Sequence, residues 1–146
     1  MVKCEAHSKT GKGRLQPELL DRTESFSDRC VGVAEQLQAD GRFSRIVEQL
    51  AASGSSVGAN CAEADQAMSR KDFRKCLAIV AKELAETRFW LRLTLRRNWL
   101  THTRLDPLLL ELEELRSIVG SILARTSERR IIPSPHHRPT PTDLTI

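Results

Sequence analysis

The chain has 146 residues, a net charge of +4, 40% apolar residues and 29% charged residues, which suits one packed domain under a solvated surface. It contains no apolar run long enough to span a membrane, and its first fourteen residues carry four basic groups without an apolar stretch. We therefore expect neither a membrane span nor a signal peptide, and a cytoplasmic location. Aromatic residues make up only 4%, and residues 18–106 contain no proline, so the favoured fold class is all-α.

The first half of the chain predicts two helices. Pro17 occupies a position typical of a first helical residue, and apolar residues then recur at helical spacing, so we place the first helix at 17–39. Asp40-Gly41 is a stop signal. A second helical pattern runs from Ile46 to Met68 and includes Gly54 and Gly58, which mark either a kink or a close contact between helices.

The second half predicts two more helices. Ser69 is a candidate N-cap with Asp72 three residues later, so a third helix is expected from about Arg70 to Trp99. Asp106-Pro107 is a cap followed by a first-turn proline, which predicts the start of a fourth helix that ends near Thr126.

These four segments predict the architecture of the whole chain. Four helices with one apolar stripe each, joined by short turns, cover one another in an antiparallel up-down four-helix bundle, here over residues 17–129. Residues 1–16 form a basic tail and residues 130–146 a Pro-rich tail, and their polar composition predicts disorder in both.

Positive charge is concentrated on the third helix. Residues 70–97 hold nine basic and three acidic groups, whereas residues 17–39 hold two basic and five acidic groups. Most of these basic groups project opposite the apolar face, as expected of a surface that binds RNA or DNA phosphates. Alternatively, this is a solvated face that complements acidic first and fourth helices. The candidate phosphate contacts are Arg70, Lys71, Arg74, Lys75, Lys82, Arg88, Arg92 and Arg96.

A second apolar group lies on the same helix. Phe89, Trp90 and Leu93 project away from its main apolar face, and apolar bulk on two faces of one helix predicts a second buried contact, most simply a subunit interface. Alternatively, the fourth helix crosses this region and buries all three side chains.

Residues suited to catalysis or metal binding are scattered, so we predict a protein that is not an enzyme and has no metal or cofactor. No cysteine pair or nearby histidine has the spacing of zinc ligands. The residues concerned are Cys4, Cys30, Cys61, Cys76, His7, His102, His136 and His137.

One segment matches a known pattern over about residues 53–95. Ser53-Gly54-Ser55-Ser56-Val57-Gly58-Ala59-Asn60-Cys61, with Glu63 and Ala64, precedes Ser69-Arg70-Lys71-Asp72-Phe73 and then Lys82-Glu83, Glu86-Thr87 and Trp90-Leu91. This run resembles the bacterial four-helix bundle proteins, also called ribosomal-RNA intervening-sequence proteins. The family is related to the accessory variability protein of diversity-generating retroelements.

The resemblance implies a ring-like homopentamer and a structural role for Asn60 and Glu63, which would tie the second helix to a neighbouring backbone or to the third helix. It also implies association with nucleic acid and with a protein partner such as a reverse transcriptase. We therefore expect a nucleic-acid-binding accessory or assembly factor. The alternative is a protein-interaction scaffold that does not bind nucleic acid.

Overall fold

A computed structural model describes residues 13–127 and contains four α-helices in this range, without a strand. They are α1 (Pro17–Ala39), α2 (Ser44–Asp65), α3 (Arg70–Arg96) and α4 (His102–Arg125). The predicted all-α class and the four helices are confirmed. The predicted tails lie outside the described residues except for 13–16, and so do Cys4, His7, His136 and His137.

The core is built from the apolar stripe of each helix. α1 packs on α2, α2 on α3 and α3 on α4, while α1 and α4 touch less extensively. The fully buried large side chains include Phe26, Leu37, Leu50, Leu77, Leu84, Leu91, Leu105, Leu112 and Leu115. The buried positions of each helix recur every three or four residues and so form one apolar stripe. The neighbouring helices cover this stripe.

The glycines of α2 mark a close contact with α1 and not a break in the helix. α2 is continuous through Gly54 and Gly58. The Ser27 hydroxyl of α1 donates to the Gly54 carbonyl oxygen (2.7 Å) and accepts from the Gly58 amide (2.9 Å). Of the two alternatives that the glycines left open, the close helix contact is therefore confirmed.

A buried hydrogen bond joins α2 to α3. The Thr87 hydroxyl lies 3.0 Å from the Ser53 hydroxyl, and both side chains are buried. The bond satisfies polar groups that would otherwise be costly inside an apolar core. It therefore links the middle of α2 to α3 within the core.

Two helices end in the same turn motif. Gly41 follows α1 with φ +72°, and Asn98 follows α3 with φ +55°. In each case the next amide donates back to the last turn, from Arg42 to Leu37 (3.0 Å) and from Trp99 to Thr94 (3.0 Å). This is the Schellman motif, which closes a helix through one left-handed residue. The predicted stop at Asp40-Gly41 is confirmed.

The predicted start of α4 is wrong by about one turn. Helix α4 begins at His102, and Thr101 is its N-cap, with its hydroxyl accepting from the Arg104 amide (3.3 Å). Pro107 therefore lies inside the helix. Its lack of an amide proton costs one hydrogen bond near the helix start, which the earlier cap and the buried Leu105 offset.

The contact between α1 and α4 is open at one end. A cavity of about 840 Å³ lies there, lined by Leu15, Leu19, Phe73, Ile118, Ile122 and rim residues that include Arg70 and Arg125. Next to it, Arg22 of α1 forms a two-pronged ion pair with Glu111 (2.9 and 2.8 Å) and a further one with Glu114 (2.7 Å) of α4. Ion pairs thus reinforce the contact between α1 and α4, which is the least extensive of the helix contacts.

Candidate nucleic-acid interface

The basic residues of α3 lie on the side of the helix away from the core. The core side is formed by Phe73, Leu77, Val80, Leu84 and Leu91. The other side carries all eight of the predicted phosphate contacts. Their local partners divide them into two groups, those held by α4 and those that face solvent.

Arg70 and Arg74 bind the end of α4. Arg70 donates from Nε and Nη2 to the Thr126 carbonyl oxygen (3.0 and 2.6 Å), and Arg74 donates to the Leu123 carbonyl oxygen (2.6 Å) and to the Thr126 hydroxyl (2.7 Å). The last carbonyls of a helix lack partners within it and carry partial negative charge. These two arginines therefore cap the end of α4, and their role as phosphate contacts stays a prediction.

Arg88 is also engaged by α4. Its Nε lies 2.6 Å from Glu113 Oε1, and Glu113 also pairs with Arg116 (3.1 Å). A carboxylate thus already pairs with Arg88, and its role as a phosphate contact stays a prediction.

The other five predicted phosphate contacts are exposed: Lys71, Lys75, Lys82, Arg92 and Arg96. Among the described residues, none of them lies within ion-pair distance of a carboxylate. Lys71, Lys75 and Lys82 follow one another along the first half of α3. They form the solvent-facing positive surface of the helix, and we call these three residues the lysine row.

The last third of α3 carries exposed apolar groups. Phe89 is 58% exposed, and Leu110 of α4 is 64% exposed. Phe89 and Leu93 line a cavity of about 470 Å³ together with Arg92 and Arg96, and Leu110 lines a second one that shares Arg92. The alternative that α4 buries all three predicted apolar residues is therefore wrong for Phe89.

Trp90 differs from its neighbours. It is partly buried against the core, its ring meets Phe89 edge-on with centroids 4.9 Å apart, and its indole N–H donates to Glu86 (3.2 Å). An aromatic contact of this geometry holds the exposed Phe89 ring in place. Trp90 thus lies between the core and the exposed Phe89 ring.

Among residues 13–127, no side-chain hydrogen bond joins Asn60 or Glu63 to another helix, and their structural role stays a prediction. The Asn60 side chain donates to the Ser56 carbonyl oxygen of its own helix (2.9 Å), and Glu63 is exposed. The contacts between helices come instead from Ser27 and from the Ser53–Thr87 pair. The Gly54-x-x-x-Gly58 spacing was the sequence signal for the first of these.

The described residues contain no group of three or more potential metal ligands. Burial raises the pKa of the Cys30 thiol to about 12 and raises that of Cys61 as well, so both thiols stay protonated and unreactive at neutral pH. His102 lies 3.0 Å from Asp106 on the exposed start of α4. None of the helices in residues 13–127 is long and apolar enough to cross a membrane.

These features define a class of protein: a four-helix bundle with a positive helix face next to an exposed apolar patch. The sequence profile of the 23S rRNA-intervening sequence protein family matches residues 17–121, and the chain belongs to this family. The crystal structure of a Bacteroides thetaiotaomicron protein of unknown function from the S23 ribosomal protein family is similar to this one. Its sequence is 33% identical to this one, and the TM-score is 0.68. The match covers 72% of this chain and 97% of that chain. No curated protein matches.

Proposed function

We propose that this protein is a non-enzymatic assembly or accessory factor that binds RNA or DNA through the lysine row of α3. The observation that carries the proposal is that Lys71, Lys75 and Lys82 are exposed and have no carboxylate partner among the described residues. At a rise of about 1.5 Å per residue they extend over roughly 16 Å. This length faces about five phosphates of one strand.

We further propose that the subunits assemble through a patch formed by the exposed Phe89 and Leu110 and the half-buried Leu93, with Arg92 and Arg96 beside it. The resemblance to the family supports a ring-like pentamer, and the exposed apolar side chains support a second buried contact. The antiparallel up-down order is supported by contacts between opposite helix ends. The Leu15 amide, just before α1, donates to Asp65 at the end of α2, and Arg70 at the start of α3 binds Thr126 after α4.

The test is a triple variant, Lys71→Gln, Lys75→Gln and Lys82→Gln. Binding of a labelled mixed-sequence RNA and of its DNA equivalent is followed by fluorescence anisotropy as salt rises from about 50 to about 200 mM. Loss of three phosphate contacts should weaken binding at low salt and reduce the slope of log affinity against log salt by about 2 to 3.

A matched control separates the lysine row from net charge alone. The variant Ser25→Glu, Gln36→Glu and Ser55→Glu also lowers the net charge by three, at exposed positions of α1 and α2. It should retain most of the affinity and the full salt slope. Equal losses in both variants would show only an effect of overall charge, which would refute the lysine row as the site.

The scaffold alternative is favoured by one observation. Arg70, Arg74 and Arg88 serve contacts within the subunit, so part of the positive charge of α3 has a structural purpose. If this alternative is correct, the parent protein binds neither probe even at low salt.

A further inference from the structure

The loops that follow α1 and α3 bring together two aromatic side chains and an arginine. Phe43, the N-cap residue of α2, is 71% exposed, and its ring centroid lies 6.2 Å from that of Trp99, with an angle of 46° between the planes. The Arg42 guanidinium carbon lies 5.2 Å from the Trp99 centroid. We call Arg42, Phe43 and Trp99 the tip cluster.

The tip cluster is held by backbone geometry. Arg42 and Trp99 are the residues whose amides close the two Schellman motifs, so each follows directly on a fixed left-handed residue. Trp99 also packs partly against the core. The exposed Phe43 ring therefore projects from a rigid base, and a ligand that stacks on it needs little ordering of the protein.

The surroundings of the tip cluster are positive. Residues 40–45 and 97–106 contain four arginines and two aspartates, and one of the aspartates, Asp106, already lies 3.0 Å from His102. Arg42, Arg45, Arg97 and Arg104 are all exposed. The other exposed large apolar residues, Met68, Phe89 and Leu110, belong to other segments of the chain. The two segments that hold the tip cluster thus carry more arginines than aspartates, and the Arg42 guanidinium lies over the Trp99 ring.

We propose that the tip cluster binds an unpaired base of a single-stranded nucleic acid, which stacks on Phe43 while the arginines contact the flanking phosphates. A solvated aromatic face beside arginines is the usual composition of a single-strand site, since every base offers a π face and every linkage a phosphate. In a duplex the bases are stacked on one another, and the ring has nothing to bind. The inference rests on the proposed function only in taking nucleic acid as the ligand.

The test is Phe43→Ala in the full-length protein, with a labelled oligouridylate and a blunt RNA duplex of equal length as probes at the same low salt. Loss of one stacking contact should weaken oligouridylate binding about tenfold and leave duplex binding unchanged. Phe43→Trp should restore the affinity. Met68→Ala, at a residue that is 91% exposed, is the matched control and should change neither.

The fluorescence of Trp99 tests the contact at the tip cluster without relying on a change in affinity. The chain has two tryptophans, so Trp90→Phe leaves Trp99, beside Phe43, as the single emitter. Its fluorescence should change on addition of oligouridylate but not of duplex.

Unchanged oligouridylate affinity in Phe43→Ala, or an equal loss for both probes, would overturn the inference. Neither result tests whether the lysine row binds nucleic acid, which the triple lysine variant tests separately. Conversely, Phe43→Ala could weaken single-strand binding while the triple lysine variant does not. This outcome would support binding at the tip cluster and refute binding at the lysine row.

Discussion

At the residue scale, the Ser27 hydroxyl makes two hydrogen bonds across the contact between α1 and α2. Its oxygen bridges Gly54 and Gly58, one turn apart on α2. Because neither glycine carries a Cβ, α1 approaches closely enough for a side chain to reach the α2 backbone. The sequence predicted this close approach as one of two alternatives, but it contained no signal that Ser27 was the opposing residue. That pairing depends on the rotation of α1, which tertiary packing sets.

Gly54→Ala should therefore destabilise the protein. A Cβ at Gly54 would lie 2.4 Å from the Cys30 Cβ and 3.0 Å from its sulfur, and Cys30 is fully buried. We expect a loss of about 1 to 3 kcal/mol in the free energy of unfolding, measured by urea denaturation. This loss outweighs the gain in helix propensity of up to about 1 kcal/mol.

Gly120→Ala in α4 is the control for this substitution. A Cβ at Gly120 meets no atom within 4 Å, so only the propensity gain applies and stability should rise slightly. If both substitutions stabilise the protein, the close contact of α1 and α2 is not present in solution.

At the scale of the helices, α1 and α4 depend on the Arg22–Glu111 pair. The hydrogen bond from Arg22 is the main cause that holds the pKa of the Glu111 carboxyl below its ordinary value of 4.5. A carboxyl whose pKa is lower in the folded state contributes stability that is complete above the unfolded pKa. This stability is lost as the pH falls through the folded pKa.

Glu111→Gln should consequently lower the free energy of unfolding by about 1 kcal/mol at neutral pH, since both side chains are partly exposed to solvent screening. The difference from the parent protein should shrink as the pH falls from about 4.5 through the lower pKa of the folded state, because the parent carboxyl becomes protonated over this range. Denaturation measured from pH 7 down to acid tests this. A difference that stays constant with pH would mean that the substitution perturbs packing and not charge.

The positions of the helices could largely be predicted from the sequence. The contacts that each helix makes with other helices could not. The first helix and the Ser69 cap of α3 were predicted correctly, since caps and apolar spacing are local signals. Thr101 was missed as the N-cap of α4, because Asp106-Pro107 is the stronger local pattern.

For the candidate site, the sequence located the positive helix but could not separate the arginines that bind α4 from the basic residues that face solvent. Arg70 and Arg74 cap α4 only because its end lies beside the start of α3, and these segments are about fifty residues apart in the chain. The tip cluster was missed for the same reason, since Phe43 and Trp99 meet only after the helices have packed.

At the scale of the whole molecule, the exposed patch is the proposed contact between subunits. Phe89, Leu93 and Leu110 lie where α3 and α4 leave cavities open to solvent. Burying such a patch against another copy would remove apolar surface from water and would place several lysine rows on one particle. Several weak phosphate contacts on one particle then act at high effective concentration. Assembly would therefore strengthen nucleic-acid binding without any new contact.

We expect a mass near five times 16.4 kDa for the parent protein by light scattering in high salt. The double variant Phe89→Asp and Leu110→Asp should yield a folded monomer, because two carboxylates cannot be buried unpaired at an apolar interface. Met68→Asp, which places one carboxylate on an exposed residue between α2 and α3, should leave the mass unchanged. A double variant that keeps the parent mass would place the interface elsewhere. A monomeric variant whose nucleic-acid affinity drops, although its lysine row is intact, would show that the subunits act together.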